Sequence, residues 1–134
     1  PSNRHQELDD NNDIAGAVSR AAVIMAEDLN IQAIVTATMS GYTARMVAKH
    51  RPRCPILALT TSSVTAQALT LCWGVNPVIV PRVRSEKELF IIAEKKALAA
   101  GLTGSEGSIL VTAGLPFEQQ GITNTIRVIE IKEK

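Results

Sequence analysis

The stretch Ile31-Gln32-Ala33-Ile34-Val35-Thr36-Ala37-Thr38-Met39-Ser40-Gly41-Tyr42-Thr43-Ala44-Arg45 joins an apolar strand to a helix through a loop crowded with hydroxyls. The strand is read over Ile31–Val35 and the helix over Thr43–Lys49. Five of the eight residues from Thr36 to Thr43 carry a hydroxyl: Thr36, Thr38, Ser40, Tyr42 and Thr43. Gly41 allows a tight turn or the close approach of a ligand. The first turn of a helix offers N–H groups without helical acceptors and the positive end of the dipole, a combination that suits an anion such as phosphate. The same residues also make ordinary helix caps. Composition alone leaves both readings open.

Outward from this stretch, elements alternate. Upstream, Ile14, Ala17, Val18, Ala21, Met25 and Leu29 recur at helical spacing and predict a helix with that stripe inward. Asn12 or Asp13 caps it and Asn30 ends it. Downstream, the helix after the hydroxyl loop turns Ala44, Val47 and Ala48 inward and stops before Pro52. Ile56–Leu59 is a short apolar strand. Thr60-Thr61-Ser62-Ser63 starts a third helix with Val64, Ala68 and Leu71 inward and Gly74 as its C′ residue. Val75–Val80 is a strand. Ser85-Glu86-Lys87-Glu88 has capping-box spacing, and the helix it opens buries Leu89, Ile92, Ala93 and Ala97 before ending at Gly101. Ser108–Thr112 is a fourth strand.

The last connection differs. Ala113–Asn124 contains Gly114, Pro116 and Gly121 but no helical period. A parallel crossover normally carries a helix, so the final strand, Thr125–Ile131, is predicted antiparallel to its neighbour. Arg127, Glu130 and Lys132 suit an exposed edge. The fold class is therefore α/β: a three-layer α/β/α sandwich on a mostly parallel five-stranded sheet, with an antiparallel last strand at an edge. Ligands of such sheets sit beyond the carboxyl ends of the strands. Hydroxyl-bearing loops 36–43, 60–63 and 112–125 are predicted there. Residues 1–12 are polar and aperiodic, a tail or linker, and residues 13–134 form one domain.

Composition narrows the function. Of 134 residues, 46 % are apolar, 20 % charged and 3 % aromatic, with a net charge of +1. Few rings for base stacking and no basic stripe speak against nucleic-acid binding. No run reaches membrane-spanning length, and no signal peptide is visible, so a cytoplasmic location without membrane contact is expected. Cys54 and Cys72 lack metal or redox spacing and read as reduced, small core residues. Catalytic motifs are absent. His5 lies in the tail, and His50 at a helix C-terminus suits the dipole. Asp9, Asp10 and Asp13 read as a solvated helix start rather than a metal site, and Trp73 as a packing residue at a turn. No catalytic residues and no metal ligands are assigned.

From Ile34 to Thr60 the sequence carries a resemblance. Thr38-Met39-Ser40-Gly41-Tyr42-Thr43-Ala44 fits the pattern T-x-S-G-x-[ST]-A, and Arg51-Pro52-Arg53-Cys54-Pro55-Ile56 fits R-P-x-x-P-I. Together they resemble the C-terminal domain of pyruvate kinase. Leu71-Cys72-Trp73-Gly74-Val75 is similar to the family's next turn. Val111-Thr112-Ala113-Gly114-Leu115-Pro116, followed by Gly121-Ile122-Thr123-Asn124-Thr125, is similar to its last loop in the bacterial form. The likeness runs from about Asp13 to Ile131.

The resemblance implies the same sandwich and a regulatory, allosteric role in a glycolytic transferase. It places the barrel that binds phosphoenolpyruvate, ADP, magnesium and potassium before this domain. No cofactor is expected here, and this chain alone is expected to be inactive. By resemblance, the effector phosphate is held by Thr38, Met39, Ser40, Gly41, Tyr42 and Thr43, with Gly114, Gly121 and Thr123 in the loop that folds over it. Expected partners are the phosphorylated effector, the parent enzyme's barrel and further copies in a homo-oligomer. Some members regulated by fructose 1,6-bisphosphate have Lys where Met39 stands, and an arginine where Leu89 stands. Both differences remove positive charge and favour AMP or a sugar monophosphate. Two other classes stay open: a stand-alone protein of this fold that binds or acts on a phosphorylated metabolite, and an oligomerisation module whose loop only caps.

Overall fold

The computed structural model describes residues 10–38, 40–113 and 124–132. Chain order is α1 (Asp10–Asp28), β1 (Ala33–Ala37), α2 (Tyr42–Lys49), β2 (Ile56–Thr60), α3 (Ser63–Leu69), β3 (Val75–Ile79), α4 (Glu86–Ala99), β4 (Glu106–Ala113) and β5 (Thr125–Lys132). The five strands form one sheet in the order β3-β2-β1-β4-β5. β1 pairs in parallel with both β2 and β4, and β2 with β3. β5 runs antiparallel to β4 at the edge, as expected from a connecting sequence with no helical period. Arg127 and Glu130 are exposed there.

Alternation along the strands builds two cores. Ile34, Ile56, Ala58 and Leu110 face one side, under Ala22, Val23 and Ala26 of α1, Ala44 and Val47 of α2, and Leu69 of α3. Ala33, Val35, Leu57, Leu59, Ile109 and Val111 face the other, under Leu89, Ala93 and Ala97 of α4. Every residue of β2 is buried, which is why it reads as a continuous apolar run. Among the described residues no helix is long and apolar enough to cross a membrane.

Helix ends are set by local chemistry. Ser62 Oγ accepts the Thr65 N–H at 3.1 Å and Ser85 Oγ accepts the Glu88 N–H at 3.1 Å, each capping its helix. The capping box at Ser85 is displaced by one residue. Glu88 Oε2 accepts from the N–H of Arg84 at 3.2 Å. Asn30 (φ 53°) and Arg51 (φ 49°) take left-handed positions after α1 and α2. Helix α1 includes Asp10–Asp13, ahead of the predicted cap at Asn12 or Asp13, since nothing in Asn11–Asp13 breaks a helix.

Four expectations are corrected. In α1 the buried stripe is Ala15, Ser19, Ala22, Val23 and Ala26, one position round from the predicted one. Ile14, Ala17 and Leu29 are exposed, and Val18, Ala21 and Met25 lie half-buried at the margin. The helix has apolar residues on several faces, so period alone does not choose its phase. Close packing does, by turning small residues inward. Gly16 accordingly lies close to α2, where a β-carbon would sit 3.5 Å from Met46 Cε. In α3 the Ser62 cap sets the phase so that Ala66 and Leu69 reach the sheet, while Val64, Ala68 and Leu71 face solvent. Gly74 is not a helix C′ residue. The helix ends at Leu69, and Gly74 (φ 80°) closes a later turn, its carbonyl accepting from Ile56 N–H at 3.1 Å. Trp73, on that turn at the sheet edge, is 84 % exposed and does not serve as a packing residue.

Candidate functional site

Strand order fixes where a ligand would sit. From β1 the chain moves outward to β2 and β3, then returns through α4 to β4 on the opposite side of β1. The order reverses between β1 and β4, and crevices beyond the carboxyl ends at such reversals are where open α/β sheets bind ligands. The hydroxyl loop leaves β1 at this point. The chain leaves neighbouring β4 at Ala113 and returns to β5 at Thr125, with Asn124 N–H donating to the Ala113 carbonyl at 3.1 Å.

The loop after β1 is held at both ends. Thr38 N–H donates to the Leu59 carbonyl of β2 at 2.9 Å. Thr38 Oγ1 accepts the Gly41 N–H at 2.8 Å, so this hydroxyl shapes the loop from inside. Gly41 (φ 86°, ψ −2°) caps α2 with no side-chain cap. Its carbonyl accepts the first helical bond, from Arg45 N–H at 3.0 Å. Ser40 Oγ accepts the Tyr42 N–H at 3.4 Å and is exposed. Thr38, Gly41 and Thr43 are buried, and Tyr42 is half-buried. Of the predicted phosphate-binding residues, Thr38, Ser40, Gly41, Tyr42 and Thr43 thus lie together in one turn at the switch point. Met39, Gly114, Gly121 and Thr123 lie outside the described residues.

Arg45 enters the site only through the structure. Its Nη1 donates to the Ser40 carbonyl at 3.1 Å. The guanidinium lies over Gly41, so that a β-carbon there would fall 2.8 Å from Nη1. A full positive charge thereby stands at the end of the helix where the dipole is already positive, and both favour an anion. The signal available beforehand was spacing, since a side chain four residues after the cap leans back over the first turn. Leu89 is 1 % exposed, packed in the α4 core, and position 89 presents nothing to this loop.

The second hydroxyl loop does what capping residues do. Thr60 Oγ1 accepts the Ser62 N–H at 3.2 Å, and Ser62 caps α3. His50 is the C-cap of α2. Cys54 and Cys72 are free thiols, half-buried against the first core cluster. Burial pushes the Cys54 thiol above its ordinary range, with a smaller push from Glu27 against the lowering effect of backbone N–H groups. A thiol held protonated is a poor nucleophile.

Comparison with known proteins identifies the family. The family described as "Pyruvate kinase, alpha/beta domain" matches residues 16–129. The chain is 38 % identical over 128 residues to the pyruvate kinase of Lactococcus lactis, covering 96 % of this chain and 25 % of that protein. It is 40 % identical over 111 residues to that of Clostridium acetobutylicum, covering 83 % and 24 %. For Geobacillus stearothermophilus the figures are 36 % over 120 residues, covering 90 % and 20 %. The chain thus spans about a fifth to a quarter of the length of these relatives. With the motif, the sandwich and the match over residues 16–129 in agreement, the chain belongs to the pyruvate kinase alpha/beta domain family and is a pyruvate kinase C-terminal domain.

Proposed function

We propose that this domain binds a phosphorylated effector and regulates a pyruvate kinase, the phosphate resting on the N-terminal turn of α2. The observation that carries this reading is the placement of Arg45 and exposed Ser40 on that turn, at the switch point between β1 and β4. Phosphate oxygens would take the Ser40 hydroxyl, the Arg45 guanidinium and backbone N–H groups of the Ser40–Thr43 stretch other than that of Gly41, which stays on Thr38 Oγ1. Thr38 holds the turn in shape through Gly41. Gly114, Gly121 and Thr123, in the segment that leaves β4, would cover the ligand. Neither Leu89, which is buried in the core, nor Met39 in the loop sequence supplies a cation for a second phosphate, which favours AMP or a sugar monophosphate. Phosphotransfer from phosphoenolpyruvate to ADP, with its magnesium and potassium, belongs to the barrel of the parent enzyme. This domain contributes regulation and oligomer contacts, in the cytoplasm, as part of glycolysis.

Calorimetry with AMP, ribose 5-phosphate, glucose 6-phosphate and fructose 1,6-bisphosphate tests the reading on wild type, Ser40→Asp and Arg45→Ala. A charge-assisted hydrogen bond is worth about 1.5–3 kcal/mol, so losing Arg45 should weaken a monophosphate by roughly tenfold or more. Ser40→Asp puts a carboxylate in the phosphate position and should abolish measurable binding. A phosphorylated ligand that binds all three proteins equally well would place the site elsewhere, with the 60–63 loop next to be tested.

A further inference from the structure

Among the described residues, three hydroxyls lie in the interior with no hydrogen-bond partner: Ser19 Oγ, Thr36 Oγ1 and Thr112 Oγ1. All three residues are 0 % exposed. Topology brings them to one layer. Thr36 and Thr112 are register partners on the parallel strands β1 and β4. Each lies two residues beyond a member of the first core cluster, Ile34 and Leu110. Residues two apart share a face of a strand, so both threonines point toward α1 and α2. Ser19 belongs to the buried stripe of α1 that covers this face, one turn from Ala22 and Val23. The neighbouring row across the sheet, Ile56, Ile34, Leu110 and Val128, is apolar throughout. In the row of the threonines their partners are Ala58 and Ile126.

An unpaired buried hydroxyl is unfavourable, and native interiors pair such groups with protein or with ordered water. An internal water needs two to four polar partners. Three hydroxyls, each able to donate and accept, supply three. We propose that Ser19, Thr36 and Thr112 form a binding site for an internal water molecule, which fastens α1 to β1 and β4 just below the switch point. The bridge gives α1 a polar anchor where its small residues supply little apolar contact. It stands independently of the effector reading, because no group in it belongs to the loop after Thr38.

High-resolution diffraction and water–amide NMR on the 134-residue chain test the site, with Thr36→Val, Thr112→Val and Thr112→Ser as variants. The expected result is a long-lived water within about 3.2 Å of at least two of the hydroxyls. Each valine variant should lose that signal and lower the folding equilibrium constant about tenfold, as for a lost buried hydrogen bond. Thr112→Ser should retain the water. If a valine variant fails to fold, the wild-type and Thr112→Ser water signals decide. A dry layer in the wild type, or valine variants as stable as it, would overturn the proposal.

Discussion

Replacing Gly41 by alanine should cost far more than the same change at Gly74, although both glycines are left-handed. Gly41 has φ 86° and Gly74 φ 80°. For an L-residue that region costs about 1–2 kcal/mol, offset by about 0.4–1 kcal/mol from the stiffer unfolded chain. Backbone terms alone therefore come to about 1 kcal/mol at either position. The surroundings differ. A β-carbon on Gly74 meets nothing within 4 Å, whereas on Gly41 it falls 3.2 Å from Leu69 Cδ2 and 2.8 Å from Arg45 Nη1. Arg45 can swing into solvent at the loss of one exposed hydrogen bond. Leu69 is 0 % exposed and has little room to yield, and overpacking of a core costs about 1–3 kcal/mol. The total for Gly41→Ala is about 2–4 kcal/mol. At about 2.1 cal/mol/K per residue, 134 residues give an unfolding entropy of about 0.28 kcal/mol/K. The expected fall in Tm is then about 7–14 °C for Gly41→Ala and about 4 °C for Gly74→Ala. Urea and thermal unfolding followed by circular dichroism measure both. Equal losses within about 0.5 kcal/mol, a common error of such comparisons, would refute the packing of Leu69 and Arg45 around Gly41.

Thr38→Val removes the acceptor of the buried Gly41 N–H and should destabilise by about 1–2 kcal/mol, with Thr38→Ser recovering most of it in the same urea titration. Cys54 should make stability fall at alkaline pH. Its folded pKa is raised, so above the ordinary value of 9.0 the unfolded chain releases a proton that the folded chain keeps, and ∂ΔG/∂pH is negative between the two values. The stability gap between wild type and Cys54→Ser, measured from about pH 8 to about pH 10, should shift in that direction, and a flat gap would exclude it. The 134 residues alone should show no transfer of phosphate from phosphoenolpyruvate to ADP in a coupled assay; turnover that copurifies with the chain would contradict this.

What the sequence determined by itself is local. Alternating apolar runs and turns identify nine elements, and Ser62 and Ser85 mark helix starts because a cap is a contact between residues three apart. The antiparallel edge strand follows from the lack of helical period in the sequence between Ala113 and Thr125. The hydroxyls of Thr38, Ser40, Tyr42 and Thr43 could be grouped because they share one turn. Tertiary structure decided the rest. It chose Ala15, Ser19 and Ala22 over Ile14, Ala17 and Leu29 as the inner face of α1, since apolar residues on several sides leave a helix free to rotate until it packs. It turned Leu89 into the core, and it brought Arg45 back over Gly41. It also set β4 beside β1, which puts the start of the hydroxyl loop next to the end of β4 and aligns Thr36 with Thr112. Strand order and helix phase depend on contacts between residues distant in the chain, and no local period records them.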